Sequence, residues 1–336
     1  MDDVVADAIA GNQNAFTTLV ERHRHELQVH CYRMLGSFED AEDQVQETFL
    51  RAWRKRDTYQ ARATFRAWLY RIATNACLDF LDRHPRTPKP YADPPAIGEP
   101  DTPRPQYLPW LQPFPDHLLD RAAEEAGPDT AVVRRETIEL AFLTAIHHLP
   151  PRQRAVLVLR DVLGWRAEET AELLDITVPA VKSALQRARP VLREHLPASR
   201  TQWAPTADPD KAERDLLRRY MSVLDDQSPA TLTDLFRHDV VITMPPHTLW
   251  FAGRDPFLAG MAELMEPTSP NYIGEWRSMP TRANRQPAVA HYVRPPGETV
   301  FHAQVLDVIH MQNGEIASVM AFVPDLFPAF GLPTTL

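Results

Sequence analysis

The sequence predicts a multidomain chain in which two all-α domains are followed by an α+β domain. Three observations carry this: the placement of the prolines, two helical stretches with basic segments, and a change to strand alternation toward the C-terminus. Of 32 prolines, eleven lie between His84 and Asp116, a density that neither a helix nor a central strand could hold. That run and a shorter break near residues 197–210 divide the chain. Residues 1–84 form a helical domain, 85–130 a linker, 131–198 a second helical domain, 199–209 a short linker and 210–331 an α+β domain. A chain of 336 residues suits two or three domains, each able to bury its own core.

Composition narrows the class. Hydrophobic content of 44% and charged content of 24% are those of an ordinary globular protein. The two cysteines, Cys31 and Cys77, sit inside helical patterns, which points to a reducing compartment. "MDDVVADAIAGNQNAF" is acidic where a secretory signal would be basic, and no apolar run approaches the roughly 18 residues that span a bilayer. A cytoplasmic protein is expected. The 11 glycines supply no phosphate-binding loop, and no nucleophile motif occurs. His23, His25, His30 and Cys31 invite a metal, but helical geometry turns His25 away from His23 and His30, and no second group completes a tetrahedron. Neither metal nor other cofactor is expected.

The formal net charge is -9, yet the charge is unevenly spread. Residues 150–200 hold nine Lys or Arg against six Asp or Glu, and residues 51–71 hold seven against Asp57 alone. With a screening length of about 8 Å at physiological salt, such local basic faces can meet phosphate while distant acids are screened. The overall sign still predicts weak DNA binding by the free chain.

The first basic face lies in "ETAELLDITVPAVKSALQRAR". Thr170, Ala171, Leu173 and Leu174 belong to one helix, Asp175 to Thr177 make the turn, and Thr177 caps a second helix with Pro179 in its first turn. Val178, Val181, Ala184, Leu185 and Ala188 recur at inward spacing. Pro179, Ala180, Lys182, Ser183, Gln186, Arg187 and Arg189 are left facing out, with residue types that contact phosphates and base edges. The wider run from Leu149 to Leu196 resembles region four of bacterial sigma factors of the extracytoplasmic-function (ECF) type. The resemblance implies that this helix-turn-helix reads the upstream (-35) promoter element through those residues and Thr177, with Thr177, Pro179, Ala180 and Ser183 at the groove. Pro190 departs from the family pattern and predicts a kink.

"GSFEDAEDQVQETFLRAW" starts with Ser37 as N-cap, sets Glu39, Asp40, Glu42 and Asp43 in the first turns, and carries the apolar stripe Ala41, Val45, Phe49 and Trp53. It resembles sigma region two, where this helix docks on the clamp of the polymerase beta-prime subunit. On that resemblance Asp43, Gln44, Gln46 and Glu47 are the contact residues. The following basic segment interleaves arginines with Tyr59, Phe65, Trp68 and Tyr70, and Phe65, Trp68, Leu69, Ile72, Ala76 and Phe80 fit core spacing. Promoter opening needs a channel that receives unstacked bases. In the family the loop at 57–64 holds a flipped -10 base, which makes Tyr59, Arg62, Arg66, Arg71, Asn75 and Arg83 the candidates for strand contact.

Within the linker, "YLPWLQPFPDHLLD" is too apolar for a spacer, so Trp110, Leu111 and Phe114 are expected to cover a surface of the polymerase or of this chain. In the last domain "DKAERDLLRRYMSVLDDQSPATLTDLF" reads as two amphipathic helices, and "VFHAQVLDVIHMQNGEIASVMAFV" as two strands around an Asn313-Gly314 turn. An α+β cone with a curved antiparallel sheet follows. With "MPPHTLWFAGRDPF", the pattern resembles the SnoaL-like branch of the NTF2-like superfamily, whose cones enclose a pocket. Met244, Trp250, Trp276, His291, His302 and Asp307 are the lining candidates. The resemblance as a whole is to ECF sigma factors of SigG/SigJ type with a SnoaL-like domain that modulates activity. It implies RNA polymerase core (beta-prime clamp and beta flap), promoter DNA and a small-molecule or protein regulator of the last domain as partners, and no membrane. Two other readings stay open: a one-component regulator whose last domain senses a ligand, and an enzyme with a DNA-binding appendage.

Overall fold

The computed structural model describes residues 2–59, 64–96, 98, 102–126, 137–196, 211–226 and 233–336. They fall into two compact units, Met1–Thr87 with His117–Trp203, and Pro88–Asp116 with Ala204–Leu336.

The first unit is helical: α1 (Asp2–Ile9), α2 (Gln13–Glu21), α3 (Arg24–Leu35), α4 (Phe38–Arg54), α5 (Phe65–Arg83), α6 (Asp116–Ala126), α7 (Leu140–His147), α8 (Pro151–Leu157), α9 (Ala167–Leu174) and α10 (Val178–His195). Every residue of α3 from Glu26 to Leu35 is buried. It ends at Gly36, whose φ of 71° is the left-handed conformation a helix C-terminus needs. Ser37 then caps α4 through its Oγ, 3.2 Å from the Asp40 amide. The stripe on α4 is shifted from the expected one: Phe38, Ala41, Gln44, Val45, Thr48 and Ala52 are buried. Phe49 and Trp53 are half-buried.

The two helical domains share buried polar joints. Arg33 of α3 donates to the Thr137 carbonyl at 3.1 Å. Arg154 of α8 donates to the Ile146, His147 and Leu149 carbonyls and across to Met34. Burial pushes the two guanidinium pKa values down, to about 10 for Arg33 and about 9 for Arg154. Carbonyl acceptors are what make such burial tolerable.

The second unit holds β1 (Lys89–Pro90), β2 (Gln106–Tyr107), α11 (Lys211–Asp225), β3 (Phe236–Thr243), β4 (Trp250–Ala252), α12 (Arg254–Met265), β5 (Glu275–Ala283), β6 (Gln286–Arg294), β7 (His302–Gln312) and β8 (Glu315–Phe322). The six longer-range strands form one sheet in the order β4-β3-β8-β7-β6-β5. It is mixed rather than antiparallel, because β3 runs parallel to β8. The β7–β8 hairpin turns at Asn313 and Gly314, both with positive φ (54° and 82°), as expected of that dipeptide. Of the two helices expected at its start only α11 is described; residues 227–232 lie outside the described residues, and β3 opens at Phe236. One face of the sheet, with α11 and α12, buries Leu216, Tyr220, Leu224, Phe236, Ile242 and Val289 in a single core.

The proline-rich segment is part of this unit. The Ala96 amide donates to the Trp250 carbonyl at 2.8 Å. Gly98 (φ 133°) passes so close to β4 that a Cβ there would run into the Ala252 carbonyl. Phe114 and Asn284 exchange two bonds: the Phe114 amide donates to Asn284 Oδ1 at 2.7 Å, and the Asn284 amide to the Phe114 carbonyl at 2.9 Å. Asp116 pairs with Arg282 at 3.1 Å and accepts from the Arg285 amide at 2.8 Å. Leu111 and Phe114 are buried, and Trp110 is half-buried.

Candidate functional site

The helix-turn-helix is built by local chemistry. Asp175 takes the left-handed conformation (φ 53°) that closes α9, and Thr177 Oγ1 accepts from the Ala180 amide at 3.3 Å to start α10. Thr170, Ala171 and Leu173 on α9 and Val181, Ala184, Leu185 and Ala188 on α10 are buried. Outward lie Thr177, Pro179, Ala180, Lys182, Gln186, Arg187 and Arg189, with Ser183 half-buried. Arg187 donates to Ser183 Oγ at 2.6 Å. Arg189 is held by both oxygens of Asp161, at 2.9 and 3.0 Å. α10 runs on through Pro190 to His195, so its outer face continues past the expected break to Arg193.

On α4, Asp43 and Gln46 are exposed and Glu47 is half-buried. Gln44 is a correction: it is 7% exposed and belongs to the buried side of α4. Position 44 falls one turn from Ala41 and Thr48 on the buried stripe, which the shift of that stripe explains. Leu50, 53% exposed, stands on the outer side of the same helix, four residues from Gln46. It was missed because an isolated leucine off the stripe carries no periodic signal.

On α5, Arg71, Asn75 and Arg83 are exposed and fall along one side of the helix. Tyr59 packs edge-on against Phe65, with ring centres 5.7 Å apart, and against Trp68 at 5.5 Å. Arg62 lies outside the described residues. Arg66 is turned inward to Glu26, with N···O at 2.6 Å. Glu26 also receives the Tyr70 hydroxyl at 3.1 Å and His23 at 2.6 Å. Burial would raise the Glu26 carboxyl, but the bonds from His23 and Arg66 outweigh it and hold the pKa below the ordinary value. His25 meets Glu125, and His30 meets Thr74 Oγ1 at 2.9 Å, so the histidines near Cys31 have separate partners.

The cone encloses a cavity of about 680 Å³. Met244, Trp276, His291 and Asp307 line it, with Tyr220, Phe251, Phe257 and Met261 among their neighbours. Asp307 Oδ2 accepts the Tyr220 hydroxyl at 2.7 Å and lies 3.2 Å from His291 Nε2. His291 Nδ1 is 3.0 Å from Ser278 Oγ. Burial and the Asp307 charge push the Tyr220 hydroxyl pKa well up, so it stays a donor. Trp250 and His302 do not line the cavity. Trp250 points to the other face of β4, where its Nε1 donates to the Asp93 carbonyl at 3.0 Å and its ring lies 6.0 Å from Tyr91. Strand alternation gives the inward place to Phe251 instead. His302 lies at the start of β7 beside Glu298, at 2.6 Å, with its side chain 49% exposed. Tyr220 went unrecognised because its spacing from Leu216 and Leu224 reads as core.

Three family models match the chain: Sigma-70 region 2 over residues 19–87, Sigma-70 region 4 over 139–190 and a SnoaL-like domain over 217–319. The chain is 40% identical to the ECF RNA polymerase sigma factor SigG of Mycobacterium tuberculosis (strain ATCC 25618 / H37Rv), over 98% of this chain and 86% of that protein. It is 33% identical to the ECF RNA polymerase sigma factor SigW of Bacillus subtilis (strain 168), over 55% of this chain and 91% of SigW. The crystal structure of Mycobacterium tuberculosis SigJ has the same fold, with a TM-score of 0.59 at 21% identity, covering 95% of this chain and 99% of that one. Identity this extensive, on helical domains followed by an NTF2-like cone, places the chain in the family of ECF sigma factors, transcription initiation factors rather than enzymes, and in it as a member with a C-terminal SnoaL-like domain.

Proposed function

We propose that this sigma factor works in the cytoplasm, docking on the beta-prime clamp through the outer side of α4 and on the beta flap through its second helical domain, and that polymerase core sets its two basic surfaces on the promoter. Asp43, Gln46, Glu47 and Leu50 make the clamp contact: acids around one exposed leucine form the polar rim and apolar centre that a protein interface uses. Lys182, Gln186 and Arg187 on α10 read the -35 element, with Thr177, Pro179, Ala180 and Ser183 against the groove. Arg189 reaches phosphate only by leaving Asp161. Arg71, Asn75 and Arg83 track the opened strand, Tyr59 and Arg62 receive the -10 base, and Arg66 positions the helix through Glu26.

The observation that carries this reading is one chain presenting an exposed basic recognition helix together with the α4 face and the α5 row. A one-component regulator has no use for the latter two. Run-off transcription with purified core on genomic fragments tests it. Discrete start sites that depend on Lys182 and Arg187 are expected, and the absence of transcripts would refute it. The cone's hold on the segment joining the two sigma domains supports a regulatory role for it: an effector of the cone, protein or small molecule, would change the length of linker free to span the promoter elements.

A further inference from the structure

A groove of about 660 Å³ lies between α4 and the C-terminal end of α5, lined by Gln44, Glu47 and Arg51 on one side and by Asp79, Asp82 and Arg83 on the other. Its two guanidinium groups are already engaged. Arg51 reaches Glu47 at 2.7 Å and Asp79 at 2.5 Å, and Arg83 Nε donates to the Asp79 carbonyl at 3.0 Å. Two acceptors are left over. Asp82 is exposed and pairs with no cation among the described residues. Gln44 is only 7% exposed, yet no hydrogen bond from the described residues reaches its side-chain amide, and its Oε1 is fully enclosed. A buried amide without partners is costly enough that native structures rarely keep one.

We propose that the groove receives one arginine side chain of RNA polymerase core, its guanidinium donating to the Gln44 amide oxygen and pairing with the Asp82 carboxylate. The fork of a guanidinium serves two acceptors at once and keeps its charge when enclosed. Nucleic acid is excluded, because its phosphates would meet three carboxylates. A metal ion would have to draw Glu47 and Asp79 away from Arg51, and the described residues form no cluster able to hold one. A small free cation would lose its translational freedom to a site open to solvent, whereas an arginine on a docked surface is delivered there. Glu47 belongs both to the groove and to the α4 face assigned above to polymerase, so a partner seated on that face borders the groove. The proposal rests on that reading of α4, and different residues test the two.

Affinity for purified core, read by anisotropy of the labelled full chain, should fall about tenfold in Gln44→Leu and more than tenfold in Asp82→Lys. Gln44→Leu also removes an unsatisfied buried group, so its urea midpoint should hold or rise while its affinity falls, a combination that a merely structural role for Gln44 would not produce. Phenylglyoxal labelling of core, mapped by peptide mass spectrometry, identifies the occupant: one core arginine should be protected by the wild-type chain and lose that protection with Asp82→Asn. Wild-type affinity in Gln44→Leu and Asp82→Lys beside a loss in Leu50→Asp would overturn the groove and leave the α4 reading standing; unchanged affinity in all three would remove both. The absence of any core arginine whose protection depends on Asp82 would also overturn the proposal. Should Gln44→Leu not fold, Asp82→Lys and the labelling decide, since Asp82 is exposed.

Discussion

Buried histidines give the helical unit a pH limit. His30 is fully enclosed, and burial, with Arg33 adding to it, pushes its pKa from the ordinary 6.5 down to about 3. His147 is driven well below 6.5 by burial and by Arg154, and His148 is lowered by burial and by His195. The unfolded chain therefore takes up protons near pH 6.5 that the folded chain refuses. The stabilisation is complete above about pH 6.5 and is lost progressively as pH falls toward 3. Between pH 7 and pH 5 the His30 share is about 2 kcal/mol. Urea unfolding at the two pH values should show that loss, and His30→Gln, which can still bond Thr74, should remove about that part of the pH dependence. An unaltered dependence in the variant would assign the loss to other groups. At the same scale Glu26 acts in the opposite sense to a solvent-facing acid: it fixes Arg66, Tyr70 and His23 at the base of α5, so Glu26→Gln should destabilise the unit by about 3 kcal/mol or more, read as a shift in the urea midpoint.

Helix faces are where the two functions separate. On α10 the inner positions hold the fold, and the exposed cations are free for phosphate within the limits set by Ser183 and Asp161. Lys182→Ala should weaken holoenzyme binding at every promoter and lower the salt slope by about one. Thr177→Ala removes a cap and should cost about 1 kcal/mol of stability besides any loss in binding. On α4, Leu50→Asp should weaken the affinity for core, measured by fluorescence anisotropy of labelled chain, by more than tenfold without shifting the unfolding midpoint. These elements were legible because caps and periodicity are local: Ser37, Asp175 and Thr177 declare their roles within three residues of themselves. Gln44 and Phe49 were not, since a seventeen-residue helix packed on two sides can rotate its stripe by a position without changing its sequence pattern. Trp250 and His302 failed for a related reason. Alternation names two faces of a strand, and nothing local says which is the cavity and which is covered by the linker.

For the whole molecule, the sequence showed that the proline-rich segment was too apolar to be a tether but left its partner open. That choice is long-range, made by Asn284 and Arg285 at the tip of a hairpin some 170 residues away. Its docking on the cone gives the C-terminal domain a mechanical hold on the chain between the two DNA-reading domains. Gly98→Ala, which forces that chain off the Ala252 carbonyl, should change run-off rates in the same direction as removing the residues after Ala204. An unchanged rate in both would deny the cone any part in regulation. Neither basic surface should grip DNA unaided in a chain of net charge -9. Anisotropy of a labelled promoter fragment, titrated with the chain alone and with the chain plus purified core, measures this directly. Weak, sequence-indifferent binding alone and tight, sequence-specific binding with core is the expected result; tight, specific binding by the chain alone would contradict it.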